Sequence, residues 1–264
     1  MSRLQGRQPY ESRAIQITFD GLARVDGSAR FSFGPISALS SVSGPIEVRL
    51  ASENASQATL EVLVRPLSNV PATEAKALAA TVRGLLTPSL ILANNPRTLV
   101  QIVAQALVPS GSGLGSKSSN ANVLTAAVVN ASTLALLNAG STPMRGVICA
   151  VAVGRRKDTG AMVVDPDEGD GILDADGCFA FMFTRHDKDV QAGCVWTNWK
   201  QSTGDENVLS EARELAGRAA RDVYTAIHAS VESMGNAEPT IVFPVRTKDA
   251  IVEHDDNDDD KMEI

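Results

Sequence analysis

The stretch from Asp165 to Asp176 carries Asp165, Asp167, Glu168, Asp170, Asp174 and Asp176 within a dozen positions. Carboxylates at that density can transfer protons or hold a divalent cation. The plain alternative is an exposed, solvated acidic loop. Other candidates are weaker. Lys117 follows Gly113 and Gly115 in a Gly/Ser-rich loop, but the spacing is not that of a phosphate-binding Walker loop. His228 lies beside the apolar stripe of a C-terminal helix, the place of a packing or surface histidine rather than a catalyst. Cys149, Cys178 and Cys194 are odd in number, widely spaced and set in apolar strand-like runs. Such thiols behave as small hydrophobes, so neither a disulfide nor a zinc site is expected, and no cofactor is called for.

These residues must be positioned by a large core. A chain of 264 residues that is 44% hydrophobic can build one. No charged residue occurs from Ser118 to Met144, and Asn122 to Ala139 reads as a helix that is apolar on nearly every side. Such a helix belongs at the centre of a fold, closed in by other layers. Gly140 and Pro143 end it. No uninterrupted apolar run approaches the ~18 residues that span a bilayer, and Arg3, Arg7 and Arg13 sit among polar residues with no apolar signal core, so a soluble intracellular protein is expected.

The net charge of −7 is concentrated in the tail. Residues 253–264 alone carry −6, which leaves −1 for the rest. A body so near neutrality lacks the basic excess of a domain that grips nucleic acid by itself. The tail reads as a solvated acidic segment with no structured role.

In chain order, residues 1–13 read as a mobile arm. A β meander follows: two strand-like runs around a turn at Asp26-Gly27, a strand from Ser37 to Ser43 stopped by Gly44-Pro45, and an alternating strand from Ala58 to Val64. Thr73 is placed to cap a helix over Ala75–Leu86, which Pro88 breaks, and Thr98–Val108 reads as a strand. Pro109–Ser119 is a Gly/Ser-rich crossover. After the central helix come strands at Val147–Val153, Ala161–Val164, Phe179–Thr184 and Val190–Trp199, then an amphipathic helix over Glu206–Met234. Two rounds of strands followed by a helix predict an α+β fold, mixed sheets with packed helices in one domain over residues 14–235. Residues 236–252 form an extension and residues 253–264 the acidic tail; Thr240–Val245 could add a strand.

Several segments carry a resemblance. Arg24-Val25-Asp26-Gly27-Ser28-Ala29-Arg30-Phe31 with Gly34, Ser41-Val42-Ser43-Gly44-Pro45-Ile46-Glu47-Val48, Leu60-Glu61-Val62-Leu63-Val64-Arg65-Pro66, Asn95-Pro96-Arg97, Asn130-Ala131 and Val164-Asp165-Pro166 occur in an order and spacing that resemble the ribonuclease PH family. The likeness covers about residues 22–235. It implies the ribonuclease PH-like fold and a six-membered ring around a channel that admits single-stranded RNA. Within the family the chain is most similar to ring subunits of the eukaryotic exosome. That implies other ribonuclease PH-like ring subunits, cap RNA-binding subunits and an associated hydrolytic nuclease as partners. It also implies work in rRNA maturation and RNA turnover in nucleus, nucleolus and cytoplasm, with no membrane.

The resemblance also states what phosphorolysis would require. Active relatives place an arginine and a threonine at the start of the buried helix, where a phosphate must sit beside an RNA phosphodiester. Here Ser118-Ser119-Asn120-Ala121-Asn122-Val123-Leu124-Thr125 offers no cation. A carboxylate pair six residues apart is required before the strand at Phe179. Read without a gap from Asp165, those positions fall on Gly171 and Gly177; a shift of one residue puts Asp170 and Asp176 there. The ungapped register is preferred, so no catalytic residue is expected, with Asp170 and Asp176 as vestigial candidates. The chain is expected to scaffold the ring without phosphorolytic activity; an active phosphate-dependent 3′-exoribonuclease is the alternative. Arg97, at the start of a strand, is the candidate RNA contact on the channel side, and a plain surface arginine is its ordinary reading.

Overall fold

Alternating apolar residues build the first layer, as in β2 (Gly27–Phe33), whose Phe31 and Phe33 are fully buried with rings 4.9 Å apart, edge to face. The structure is a computed structural model that describes residue 3 and residues 6–67, 70–107, 120–186, 189–202, 206–234 and 240–242. Around β2 lie β1 (Ile15–Thr18), β3 (Ile36–Glu47), β4 (Thr59–Arg65), β5 (Thr98–Ala106) and β10 (Thr240–Val242). Their order in the sheet is β10-β1-β2-β3-β5-β4, antiparallel except for the β4–β5 pair. A parallel pair needs a crossover, and helix α1 (Thr73–Leu86) lies in that connection, with Leu78, Val82 and Leu85 buried.

The second sheet has the order β7-β6-β8-β9 and is antiparallel, built from β6 (Val147–Arg156), β7 (Met162–Val164), β8 (Leu173–His186) and β9 (Asp189–Gln201). Helix α2 (Asn120–Ala139) lies between the sheets, against β2 and β3 on one side and β6 and β8 on the other. It is long and apolar enough to cross a membrane by length and composition, but its residues are buried among the sheets, as in a core helix. Asn130 is its one fully buried amide: it accepts from Ala150 N at 2.7 Å and donates to Ala150 O at 2.9 Å, which ties α2 to the middle of β6. Gly140 follows with φ 61, the left-handed C-cap expected. Helix α3 (Glu206–Glu232) covers β6 from outside with a stripe that includes Ala212, Leu215, Ala219, Val223 and Ile227.

Several local expectations are corrected. Asp26-Gly27 is not a hairpin turn. Asp26 instead accepts a hydrogen bond from Gly44 N at 2.6 Å, and Gly27 lies so close to α2 that a Cβ there would stand 2.3 Å from Ala139 N. The hairpin between β2 and β3 turns at Gly34, φ 55. Gly44-Pro45 does not end β3: the strand passes through it with a register shift against β5 between Ser43 and Ile46. Thr73 begins α1 inside the helix, with Ala72 as N-cap and no side-chain cap bond. Cys149 and Cys178 are buried, with burial raising both thiols, whereas Cys194 is exposed on β9. The crossover with Lys117 and the acidic tail lie outside the described residues.

The N-terminal arm is the largest correction. Its described part does not float free: Arg3 is buried, and Arg3, Arg7 and Arg13 all bind the acidic loop. Three guanidinium groups against three carboxylates provide charge-assisted bonds that offset the ordering entropy of the segment.

Candidate functional site

The acidic loop joins β7 to β8 and is fixed at both ends. At its start Asp165 has φ 49 and is buried, receiving Arg13 Nε at 2.7 Å, Arg13 Nη2 at 2.5 Å and the Arg13 backbone N at 2.8 Å. Burial alone would lower the affinity of Arg13 for its proton, but the hydrogen bonds and charge of Asp165 outweigh it and hold the guanidinium charged. Arg7 bonds Asp167. Burial and the neighbouring Arg3 lower its pKa, against the opposing pull of Asp165 and Asp167.

Asp170 sits deeper. Its side chain is fully buried, and Arg3 grips both carboxylate oxygens, Nε to Oδ1 at 2.8 Å and Nη2 to Oδ2 at 2.9 Å. Arg3 Nη2 also donates to the carbonyls of Val164 and Asp165. Asp170 accepts from Asp167 N at 3.0 Å, and Asp167 accepts from Gly169 N at 2.8 Å, a reciprocal cap that closes the short turn Glu168–Asp170. Asp170 is thus a structural ion-pair partner.

Asp176 lies on β8, opposite Gly154 on one side and Lys200 on the other. Its Oδ2 accepts from Asn122 Nδ2 in the first turn of α2. Partial burial raises its pKa, opposed by the charge of Lys200 and the bond from Asn122. Nearby, Asn120 donates to Glu168 at 3.4 Å. The N-terminus of α2, whose free N–H groups and positive dipole end suit an anion, therefore meets the chain's own carboxylates through two asparagines. The first turn of α2 holds no charged residue.

The two glycines of the ungapped register do not occupy such a place. Gly171, φ 78, has open space where its Cβ would be. A Cβ on Gly177 would stand 2.3 Å from Asn198 O and 2.8 Å from the Trp199 ring, so that position admits no carboxylate. Of the sequence candidates, Asp176 reaches the start of α2 and Asp170 is bound within the arm. Arg97 is elsewhere, at the start of β5 with φ 61, its side chain 69% exposed and 3.3 Å from Glu53. His228 is a half-exposed neighbour of Glu232 on α3. Among the described residues no group of His, Cys, Asp and Glu could hold a metal ion. Sequence reasoning missed the roles of Arg3, Arg7 and Arg13. The available signal was a triplet of arginines in an otherwise polar arm and a triplet of aspartates far away with no assigned counter-ions.

The family model described as "3′ exoribonuclease family, domain 1" matches residues 11–142. Exosome complex component rrp46 of Schizosaccharomyces pombe is 35% identical over 130 residues, 49% of this chain and 53% of that protein, so the match spans about half of that relative. Exosome complex component Rrp41 of Thermococcus onnurineus is 32% identical over 195 residues, 70% of this chain and 73% of that protein. The crystal structure of rice (Oryza sativa) Rrp46 superposes with a TM-score of 0.72 at 22% identity, over 87% of this chain and 100% of that one, and shares its fold. With two sheets closed on a central helix, a family match over half of the sequence and a 32% identical relative covered over 73% of its length, the chain belongs to the 3′ exoribonuclease family, the family of ribonuclease PH.

Proposed function

We propose that this chain is a ring subunit of the RNA exosome that scaffolds the channel for 3′-to-5′ RNA processing and degradation, including rRNA maturation, and that it has no phosphorolytic activity of its own. The names of its relatives support the first half. One observation carries the second: Asp170, one of the two candidates six residues apart, is buried and held through both oxygens by Arg3. A fully buried carboxylate bound through both oxygens by a guanidinium, and on one of them by a backbone N–H as well, is withdrawn from metal binding and proton transfer. The geometry favours the register that places the pair at Asp170 and Asp176 over the ungapped one, and the pair is still not a catalytic one.

Phosphorolysis brings phosphate against a phosphodiester, so preorganised cations must offset the repulsion. The start of α2 offers the opposite, with Asp176 and Glu168 drawn to it by Asn122 and Asn120. The partners in this reading are other ribonuclease PH-like ring subunits, cap RNA-binding subunits, the attached hydrolytic nuclease and single-stranded RNA in the channel, in nucleus, nucleolus and cytoplasm. Arg97 is retained as a channel-side contact. Mass spectrometry of the endogenous protein purified with its companions tests this: unlike ring subunits in equal amounts are expected. A homo-hexamer without them would favour the second reading, an active phosphate-dependent 3′-exoribonuclease, for which the position of Asp176 beside α2 speaks.

A further inference from the structure

A groove of about 770 Å³ opens between β4, α1 and the segment Glu47–Ser52. β4 ends its sheet: β5 pairs with it on one side, and no described strand pairs with it on the other. An edge of this kind is a ready template for a further strand, because its outward N–H and C=O groups gain partners when a chain lies beside it.

The side chains around this edge are not neutral. Arg49, Arg65, Lys76 and Arg83 line the groove and are exposed. The ion pairs among the described residues are made elsewhere. Glu47 and Glu61 offset part of that charge, and Glu61 already accepts from Gln101 at 2.7 Å. Apolar side chains stand in solvent next to the same segments: Ile46 at 42% exposure, Leu50 at 89%, Leu67 at 51% and Val70 at 73%. Ile46 and Leu50 lie toward the Thr59 end of β4 and Leu67 and Val70 follow its Arg65 end, so exposed apolar surface flanks the edge at both ends. No aromatic residue lines the groove, so single-stranded RNA would find phosphate contacts but no stacking platform.

We propose that the β4 edge receives an extended, acidic segment of a partner protein, which adds as a strand beside Thr59–Arg65. Backbone pairing along β4 sets the extended conformation. The cationic rim selects carboxylates and speeds the encounter, and exposed Leu50 and Val70 offer apolar contact beyond the two ends of the strand. The ring-subunit reading supplies a source of such a partner, but the groove's chemistry does not depend on it.

The test is zero-length carbodiimide coupling on the complex purified natively with the full chain, followed by mapping of Lys76 by mass spectrometry. The expected result is an amide between Lys76 and an Asp or Glu in one acidic stretch of another polypeptide. Arg49→Glu combined with Arg83→Glu should reduce that product by about tenfold, because like charges now face the segment, with the thermal melt of the isolated chain unchanged. Coupling of Lys76 only to carboxylates of its own chain, residues 253–263 included, would overturn the proposal. So would no coupling in a complex whose bound RNA shields Lys76. If the companions are not exosome proteins yet Lys76 is joined to an acidic stretch of one of them, this inference stands and the ring-subunit reading falls.

Discussion

Arg3 and Asp170 are both buried, and breaking such a pair by removing one member leaves an uncompensated charge in the interior. Arg3→Ala is therefore expected to destabilise the fold by about 3–5 kcal/mol, read by chemical denaturation. A loss under about 1 kcal/mol, the value of an exposed pair, would mean that the arm does not dock in solution. Asp176 has the opposite sign. Its folded pKa is raised, so its charged form weakens the fold, and the penalty is present at neutral pH and disappears as pH falls through the raised value toward the ordinary range. Asp176→Asn keeps an oxygen for Asn122 and should raise Tm at pH 7, with the gain shrinking as pH falls through the raised value and the wild-type carboxyl takes up its proton. A lower Tm at pH 7 would show that Lys200 and Asn122 more than offset the burial.

Among the elements, α2 is the piece on which both sheets close, and Asn130 locks its register against β6. Asn130→Ala would orphan the N–H and C=O of Ala150 inside the core, at about 1–3 kcal/mol for each group, measurable as a shift of the denaturation midpoint without loss of the folded baseline. The helix, β4 and β6 were legible in the sequence, because an apolar run and a period of two or 3.6 are properties of the segment alone. The Asp26-Gly27 turn was misread for a related reason: the dipeptide is a good hairpin signal, but here the Asp26 carboxylate serves Gly44 and the missing Cβ of Gly27 serves α2. The arm was misread because its partners lie more than 150 positions away, and no local pattern carries that pairing. The place of Asp176 at the start of α2 was not legible either, because its contact with Asn122 joins positions 54 apart.

At the scale of the whole molecule, the chain is a family fold in which Arg3 holds Asp170 while Asn122 and Lys200 lie against Asp176. Its assembly should follow. The isolated protein is expected to give no homo-hexamer of 27.8 kDa subunits by light scattering, because ring junctions between unlike subunits differ from one another. The most direct measurement is of the reaction itself: purified chain incubated with single-stranded RNA, inorganic phosphate and magnesium, and assayed for nucleoside diphosphates. Loss of one preorganised electrostatic donor costs about a hundredfold to a thousandfold in rate, so with the cation absent and Asp170 engaged no diphosphate release above background is expected. Sustained release that vanishes in Asp176→Asn would contradict the account.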